Sequence, residues 1–430
     1  MVILRIVHWM KLKDCLKMNN KLLENIISLS TIKGLEYILA FITFPYLVRI
    51  LQVETYGLIV FSQSIVNYFN LFTDYGFNLS GPKAIAQHDD KEEYGIVFAN
   101  IFSAKLLLLF IWTVVFVIML CGMTLWGKTD FKLYMIVFLS VIGNVLFPVW
   151  FFQGIQQMRY ITFVNVIARA FSVVGIFLFV NKPEDYLFAA FCQSMTPLIA
   201  AICSWYVIFN NYPGVIRKPT LIGIKKELKD AWPIFTSNIA INLYTASNIV
   251  FLGMLTNNTV VGYFSGAKKI IDNLTQLISP ISQAIYPHVS KKVTESKESA
   301  IAFLRKVVVV FGGGMFALSL FIMLFADWIV RILLGNGYEQ SILLLRIMAF
   351  LPFLIALSNV FGIQTMLTFG MQRDFSRIIM IAAVFNTCLV LPMIYFFEGL
   401  GVCISITLTE CFVTVAMWYI LRKSHIILWR

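Results

Sequence analysis

The run LLLLFIWTVVFVIML, Leu106–Leu120, carries no charge, no glycine and no proline. In lipid, each backbone N–H and C=O must be satisfied within the protein, which leaves helices or closed barrels. Barrel strands alternate in polarity over about ten residues, whereas this run is continuously apolar, so a helix is the only economical reading. A spanning helix needs about 20 mainly apolar residues. Twelve such windows start near Ile26, Tyr56, Ile96, Phe131, Tyr160, Tyr186, Ala231, Val260, Ile301, Ser341, Phe375 and Leu400. The chain is 59% hydrophobic and 13% charged, against roughly 25% charged for soluble domains. It reads as an all-α polytopic membrane protein.

The formal net charge of +12 invites a nucleic-acid reading, but the placement of the charges explains it better. With the N-terminus cytoplasmic, only Arg49, Lys128, Lys132, Lys182 and Arg331 fall in loops of the opposite side, and all other loop and tail basic residues are cytoplasmic. Retained positive charge then gives an even number of spans with both termini inside, and no nucleic-acid partner is called for. The opening segment lacks the apolar core and cleavage site of a secretory signal peptide. Met1, Met10 and Met18 are all candidate starts. The seven cysteines form no CxxC and the four histidines no HExxH, so no metal, cofactor or nucleophilic chemistry is signalled. The expectation is a protein that is not an enzyme.

The longest polar break, residues 210–230, is charged and contains two prolines. It divides the chain into a cytoplasmic segment 1–25, a six-helix lobe 26–209, the linker 210–230, a second six-helix lobe 231–421 and a tail 422–430. The halves echo each other. Gly57 and Pro82 recur as Gly262 and Pro287 at one constant offset, and Gly154-Ile155-Gln156 recurs as Gly370-Met371-Gln372 at a slightly larger one. Six spans is even, so the duplicated halves share orientation and relate by an axis along the membrane normal, around a central cavity.

Ionisable residues at membrane depth are expensive and face cavities or each other. Lys33, Lys105, Arg169, Lys268, Lys269 and Arg346 lie within or near spans, as do Glu36, Asp74, Asp272 and Glu410. Lys33 with Glu36, and Lys268 with Asp272, share helix faces. Lys105 and Arg169 each lie about ten residues into a span, on the order of 15 Å, with no acid of their own helix beside them. An excess of cations suits an anionic substrate, so Lys33, Lys105, Arg169, Lys268 and Arg346 are the candidate substrate-binding residues. A carboxylate whose protonation changes with side is the simplest device for coupling an ion to transport, and Asp74, Glu36, Asp272 and Glu410 are the candidates. Counted from Tyr56, the second helix runs to Ala86, roughly 46 Å. Asp74 then sits at the cytoplasmic rim, with Gly81-Pro82 as the bend where the helix leaves the bilayer and Pro287 repeating it.

Three stretches resemble the O-antigen and polysaccharide flippases of Wzx type, relatives of the multidrug and toxin extrusion (MATE) fold and of lipid II flippases. They are FPYLVRILQVETYGLIVFSQSIVNYFNLFTDYGF (Phe44–Phe77), FPVWFFQGIQQMRYITFVNVIAR (Phe147–Arg169) and LYTASNIVFLGMLTNNTVVGYFSGAKKIIDNLTQLISPISQAIYPHVSK (Leu243–Lys291). Pro45, Arg49, Gly57, Asp74, Gly76, Phe77, Trp150, Gln153, Gly154, Tyr244, Gly262, Lys268 and Pro287 match family positions. Pro45, Gly57, Pro82, Gly262 and Pro287 are the expected hinges. Two departures stand out: Gln156 where many relatives have an acid, and Gln52-Val53 where a glycine commonly follows the leucine, which suggests a turn that is tighter elsewhere.

The resemblance implies a MATE-like inner-membrane protein of about twelve helices. It would move an undecaprenyl-pyrophosphate-linked oligosaccharide from the cytoplasmic to the periplasmic leaflet by alternating access, coupled to a proton or sodium ion and in contact with other polysaccharide assembly proteins. The rivals are a MATE-like small-molecule exporter, which for cationic drugs wants an acidic cavity, a membrane-embedded polysaccharide polymerase or ligase, which usually needs a large periplasmic loop, and a non-transporting assembly scaffold.

Overall fold

The computed structural model describes residues 20–88, 91–125 and 130–427, and among them every regular element is helical. Among the described residues, eight helical stretches are long and apolar enough to cross a membrane. The windows beginning at Ala231 and Val260 are not among them, because polar and charged side chains run through their middles: Asn238, Asn242 and Asn248 in one, Lys268, Lys269 and Asp272 in the other.

Helix α1, Asn20–Asp74, has 55 residues, about 80 Å if straight and far beyond a hydrocarbon core of about 30 Å. It reverses at Gln52, whose backbone is non-helical (φ 60°, ψ 175°), and the rings of Phe44 and Tyr56 on its two arms lie 6.4 Å apart. That φ/ψ belongs to a region that is essentially glycine's alone. The tight turn therefore falls at Gln52 itself, where the departure from the family's glycine had suggested a looser one. Gln52→Gly is expected to relieve strain of about 1–3 kcal/mol, less about 1 kcal/mol for the freer unfolded chain. A raised midpoint of thermal unfolding in detergent checks this, and a lowered midpoint contradicts it.

After α1 come α2 (Phe77–Ala86), α3 (Lys91–Leu125), α4 (Phe131–Leu146), α5 (Val149–Gly154), α6 (Met158–Phe179) and α7 (Tyr186–Asn211). The second half contains α8 (Leu221–Thr245), α9 (Ser247–Leu255), α10 (Asn258–Thr275), α11 (Ile278–Glu295), α12 (Lys297–Val307), α13 (Gly313–Leu324), α14 (Ala326–Leu333), α15 (Glu339–Met348), α16 (Leu351–Asn359) and α17 (Gln372–Lys423). π-helical turns at Val308–Gly312 and Val360–Leu367 interrupt two rods of this half. Helix α17 also doubles back, at Glu398 (φ 49°, ψ −126°). Its arms are joined by Asn386 Nδ2 donating to Thr409 Oγ1 at 3.1 Å.

Buried side chains segregate largely by half. One cluster gathers Leu51, Phe69, Phe116, Tyr134 and Ala190, and another gathers Phe264, Leu345, Met348, Val390 and Cys403. Phe44, Val48 and Val53 cross over and bury with the second-half cluster, so the halves are sewn together at the Gln52 end. The connection at residues 210–230 is docked on the first half: Thr220 N donates to Asn100 Oδ1 at 2.8 Å and Arg217 pairs with Glu92 at 2.9 Å.

The expected bend at Gly81-Pro82 lies elsewhere. The helix breaks at Tyr75-Gly76 (φ 51° and 84°), and Pro82 sits inside α2. Gly76 is pressed against α8, where a Cβ would lie 2.8 Å from Ile234 Cγ2, so its left-handed backbone and its missing side chain are both required. Gly81 instead serves packing, against Trp150. In the second half the break falls at Gln276-Leu277, again well before Pro287. Pro45 likewise lies inside the first arm of α1, with the reversal further on at Gln52.

Candidate functional site

Two adjoining cavities hold charged residues at membrane depth, the first lined by both halves and the second by the first half with Asn242. The first, about 520 Å³, is walled by both arms of α1 and by α4, α6, α7, α9 and α10. Arg169 enters it from the middle of α6, and Lys268, Lys269 and Asp272 from α10. Helix α10 buries Phe264, Ala267 and Ile271 along a different stripe, which is why its charged residues turn together toward the cavity. Lys268 is paired with Asp272 one turn on. Arg169 is close enough to Lys269 for the two to interact electrostatically. Three cations and one acid give this cavity a formal charge of +2. Gln63 and Gln193, bonded at 3.0 Å across α1 and α7, line the opposite wall.

The second chamber, about 320 Å³, adjoins the first, with Asn67 and Asn70 lining both. Lys105 of α3 is 2% exposed and meets Asp74 of α1 at 3.3 Å. The rod made of α4 and α5 is unwound at Phe147-Pro148, and Val145, Phe147 and Val149 face the chamber there. Trp205 Nε1 donates to Leu146 O at 2.9 Å and so holds the broken end. Non-helical backbone at membrane depth is tolerated where it lines a water-filled cavity or is buried in protein.

At the Gln52 end the site is sealed. A Cβ on Gly57 would lie 1.8 Å from Asn258 O and 2.7 Å from Gly262 N, and one on Gly262 would lie 2.1 Å from Val53 O. Val53 and Asn258 are related by the same offset as Gly57 and Gly262. The repeat glycines thus meet reciprocally on the pseudo-two-fold axis, each against the backbone of the other half. Arg49 donates to Ile332 O, and Tyr338 Oη donates to Val48 O at 3.4 Å.

Of the expected site residues, Arg169, Lys268 and Asp272 are brought together, and Lys105 and Asp74 form a separate pair. Arg346 is exposed on α15 and Glu410 is half-buried on the second arm of α17; neither lines these cavities. The side chains of Lys33, Glu36, Tyr244 and Pro287 lie outside the described residues. Beyond the spans, burial raises the Glu227 carboxyl above its usual range, against the pull of Lys226 and His88.

Sequence reasoning missed the asparagines of the second chamber. The spacing of Asn67, Asn70 and Asp74, one face of a helix by the i, i+3, i+7 rule, was the available signal.

A family profile described as "Polysaccharide biosynthesis protein" matches residues 22–293. A protein of Escherichia coli (strain K12) named "Putative O-antigen transporter" is 34% identical over 412 residues, covering 94% of this chain and 97% of its own length. A protein of Shigella dysenteriae with the same name is 28% identical over 396 residues, covering 92% and 98%. Among solved structures, the lipid II flippase MurJ in an inward closed conformation superposes with a TM-score of 0.71 at 13% identity, covering 92% of this chain and 87% of that one. An inward-facing multidrug resistance MATE family transporter gives 0.61 at 16% identity, covering 91% and 98%. At these identities the two structures speak for the fold, a MATE-like helical bundle.

Proposed function

Because the chain belongs to the polysaccharide biosynthesis protein family, we propose that it is a flippase for a lipid-linked oligosaccharide, acting in the bacterial inner membrane as a transporter and not as an enzyme. The observation that carries this reading is the convergence of Arg169 from one half with Lys268 and Lys269 from the other on a cavity sealed at one end. A pyrophosphate linker is doubly suited to such a site: guanidinium and ammonium groups bind its oxygens by charge-assisted hydrogen bonds, and opposed halves can pass it from one side to the other. The lipid tail stays in the bilayer through a gap between the halves. With both termini cytoplasmic, the Gln52 end is periplasmic, the sealed state accepts substrate from the cytoplasm, and opening the glycine seam releases it outward. Other polysaccharide assembly proteins would take up the product.

Net movement needs an ion that biases the two states, because a ligand with equal affinity for both shifts nothing. Asp272 is placed for that role. A pyrophosphate that takes Lys268 frees the carboxylate to bind a proton or sodium ion, and release of the substrate restores the pair. A cationic-drug exporter of the same fold is disfavoured by the basic cavity, and a polymerase or ligase by the short connections between helices.

The test is flipping of a fluorescent lipid-linked oligosaccharide in proteoliposomes, with and without an imposed pH or sodium gradient. Wild-type protein is expected to flip the lipid and to respond to one gradient, and Asp272→Asn to flip it independently of both. A wild-type rate no greater than that of empty vesicles would rule out the flippase reading.

A further inference from the structure

The second chamber has a chemistry of its own. Its wall carries five carboxamides from four helices: Asn67 and Asn70 of α1, Asn78 of α2, Asn144 of α4 and Asn242 of α8. We propose that this asparagine chamber holds the sugar portion of the substrate and selects uncharged saccharides, with hydroxyl and acetamido groups, over acidic ones. This rests on the flippase reading and deepens it.

Charge is the first argument. The cationic cavity carries a formal +2, whereas in the chamber Asp74 neutralises Lys105. An acidic sugar brought here meets the Asp74 carboxylate, and it reaches the buried Lys105 only by displacing Asp74 from its cation, which is unfavourable. A carboxamide both donates and accepts; Asn144 donates to Asn70 and Asn242 to Asn238 O, and the remaining donors and acceptors of the five match hydroxyl and acetamido groups, which also do both, without asking either side to bury a charge. The unwound backbone at Phe147-Pro148 adds main-chain groups to the same wall.

Continuity is the second argument. Asn67 and Asn70 belong to both cavities, and Asp74, seven residues beyond Asn67, lies about 10 Å further along the helix. A ligand with its phosphates at Arg169 and Lys269 can therefore reach the adjoining chamber with its sugars. The repeat separates the two chemistries in one more way: Gln63 and Asn67 stand at the offset where the other half has Lys268 and Asp272, so equivalent positions are neutral in one half and charged in the other.

Asparagines in membrane bundles also serve as interhelical glue, and the bond from Asn144 Nδ2 to Asn70 Oδ1 at 2.9 Å is of that kind. Asn67 and Asn78, by contrast, are exposed, which makes them the positions to test.

The experiment compares two polyprenyl-pyrophosphate disaccharides in proteoliposomes, one of neutral N-acetylated sugars and one containing a uronic acid, together with equilibrium binding of sugar-free polyprenyl pyrophosphate. Wild-type protein is expected to flip the neutral lipid at least tenfold faster than the acidic one. Asn67→Leu and Asn78→Leu are each expected to slow the neutral lipid about tenfold, and Asn78→Leu, whose residue lines only the chamber, is expected to bind the sugar-free lipid as tightly as wild type. Equal wild-type rates for the two lipids, or a parallel loss of sugar-free binding in Asn78→Leu, overturns the chamber's role. If wild type flips neither lipid, the flippase reading fails instead, and the chamber is then judged by saturation-transfer NMR with a free N-acetylated disaccharide: transfer that is lost in Asn67→Leu upholds it, and no transfer overturns it.

Discussion

Gly57→Ala is expected to break the seal at the Gln52 end and to cut flipping roughly five- to 150-fold. The new methyl would lie 1.8 Å from Asn258 O and 2.7 Å from Gly262 N. Both are backbone atoms of the opposite half, so no rotamer change relieves the clash, and α1 and α10 must part. Overpacking of this kind costs about 1–3 kcal/mol, and a cost confined to one of two states shifts their ratio roughly five- to 150-fold. The state that suffers is the sealed one, which also loses the burial of Val48 and Val53 and the bonds from Arg49 to Ile332 O and from Tyr338 to Val48 O. Gly262→Ala is expected to behave alike, because Val53 O stands 2.1 Å from its Cβ position. Gly122→Ala is the control, since nothing lies within 4 Å of a Cβ there. Spin labels at Glu54 and Asn336, both exposed at this end, report the separation directly. A distance distribution that matches wild type in Gly57→Ala would remove the seam from the mechanism.

What could be read from the sequence, and what could not, follows from how each feature is encoded. Charged residues in apolar windows are conspicuous because lipid makes them costly, so Arg169, Lys268 and Asp272 announced themselves. Their company did not. Lys105, which looked like a lone cation, has its acid on another helix at Asp74, and no spacing rule reaches across helices. The constant offset relating Gly57 to Gly262 was visible as a repeat, but only the packing reveals that a two-fold relation makes the repeated glycines touch each other. Proline misled where glycine informed. Pro82 sits within α2, and the chain breaks at Tyr75-Gly76, because a helix breaks where tertiary packing leaves no room for a Cβ as readily as where an N–H is missing. The windows at Ala231 and Val260 carry polar residues through their middles, and Asn242 of one and Lys268, Lys269 and Asp272 of the other line the cavities.

Arg169→Ala is expected to lower flipping roughly ten- to 150-fold, the equivalent of one charge-assisted hydrogen-bond set at about 1.5–3 kcal/mol. Arg169→Lys is expected to recover only part of the loss, because an ammonium keeps the charge but lacks the planar fork that grips two phosphate oxygens. A loss of activity alone would not separate binding from structure, but stability does. Arg169 faces Lys269 across the cavity, with Lys268 beside it and a single acid, Asp272, to balance the three. In the empty protein this cluster repels itself, so removing one cation relieves the fold while it weakens the hold on an anionic ligand. Arg169→Ala is therefore expected to unfold at a temperature equal to or above that of wild type, and to lose the stabilisation that added polyprenyl pyrophosphate gives wild type by mass action. A structural arginine behaves in the opposite way, since its removal lowers the unfolding temperature of the ligand-free protein. A drop in stability with flipping intact would mean that Arg169 holds helices together, and the cationic cavity would lose its claim to the phosphate.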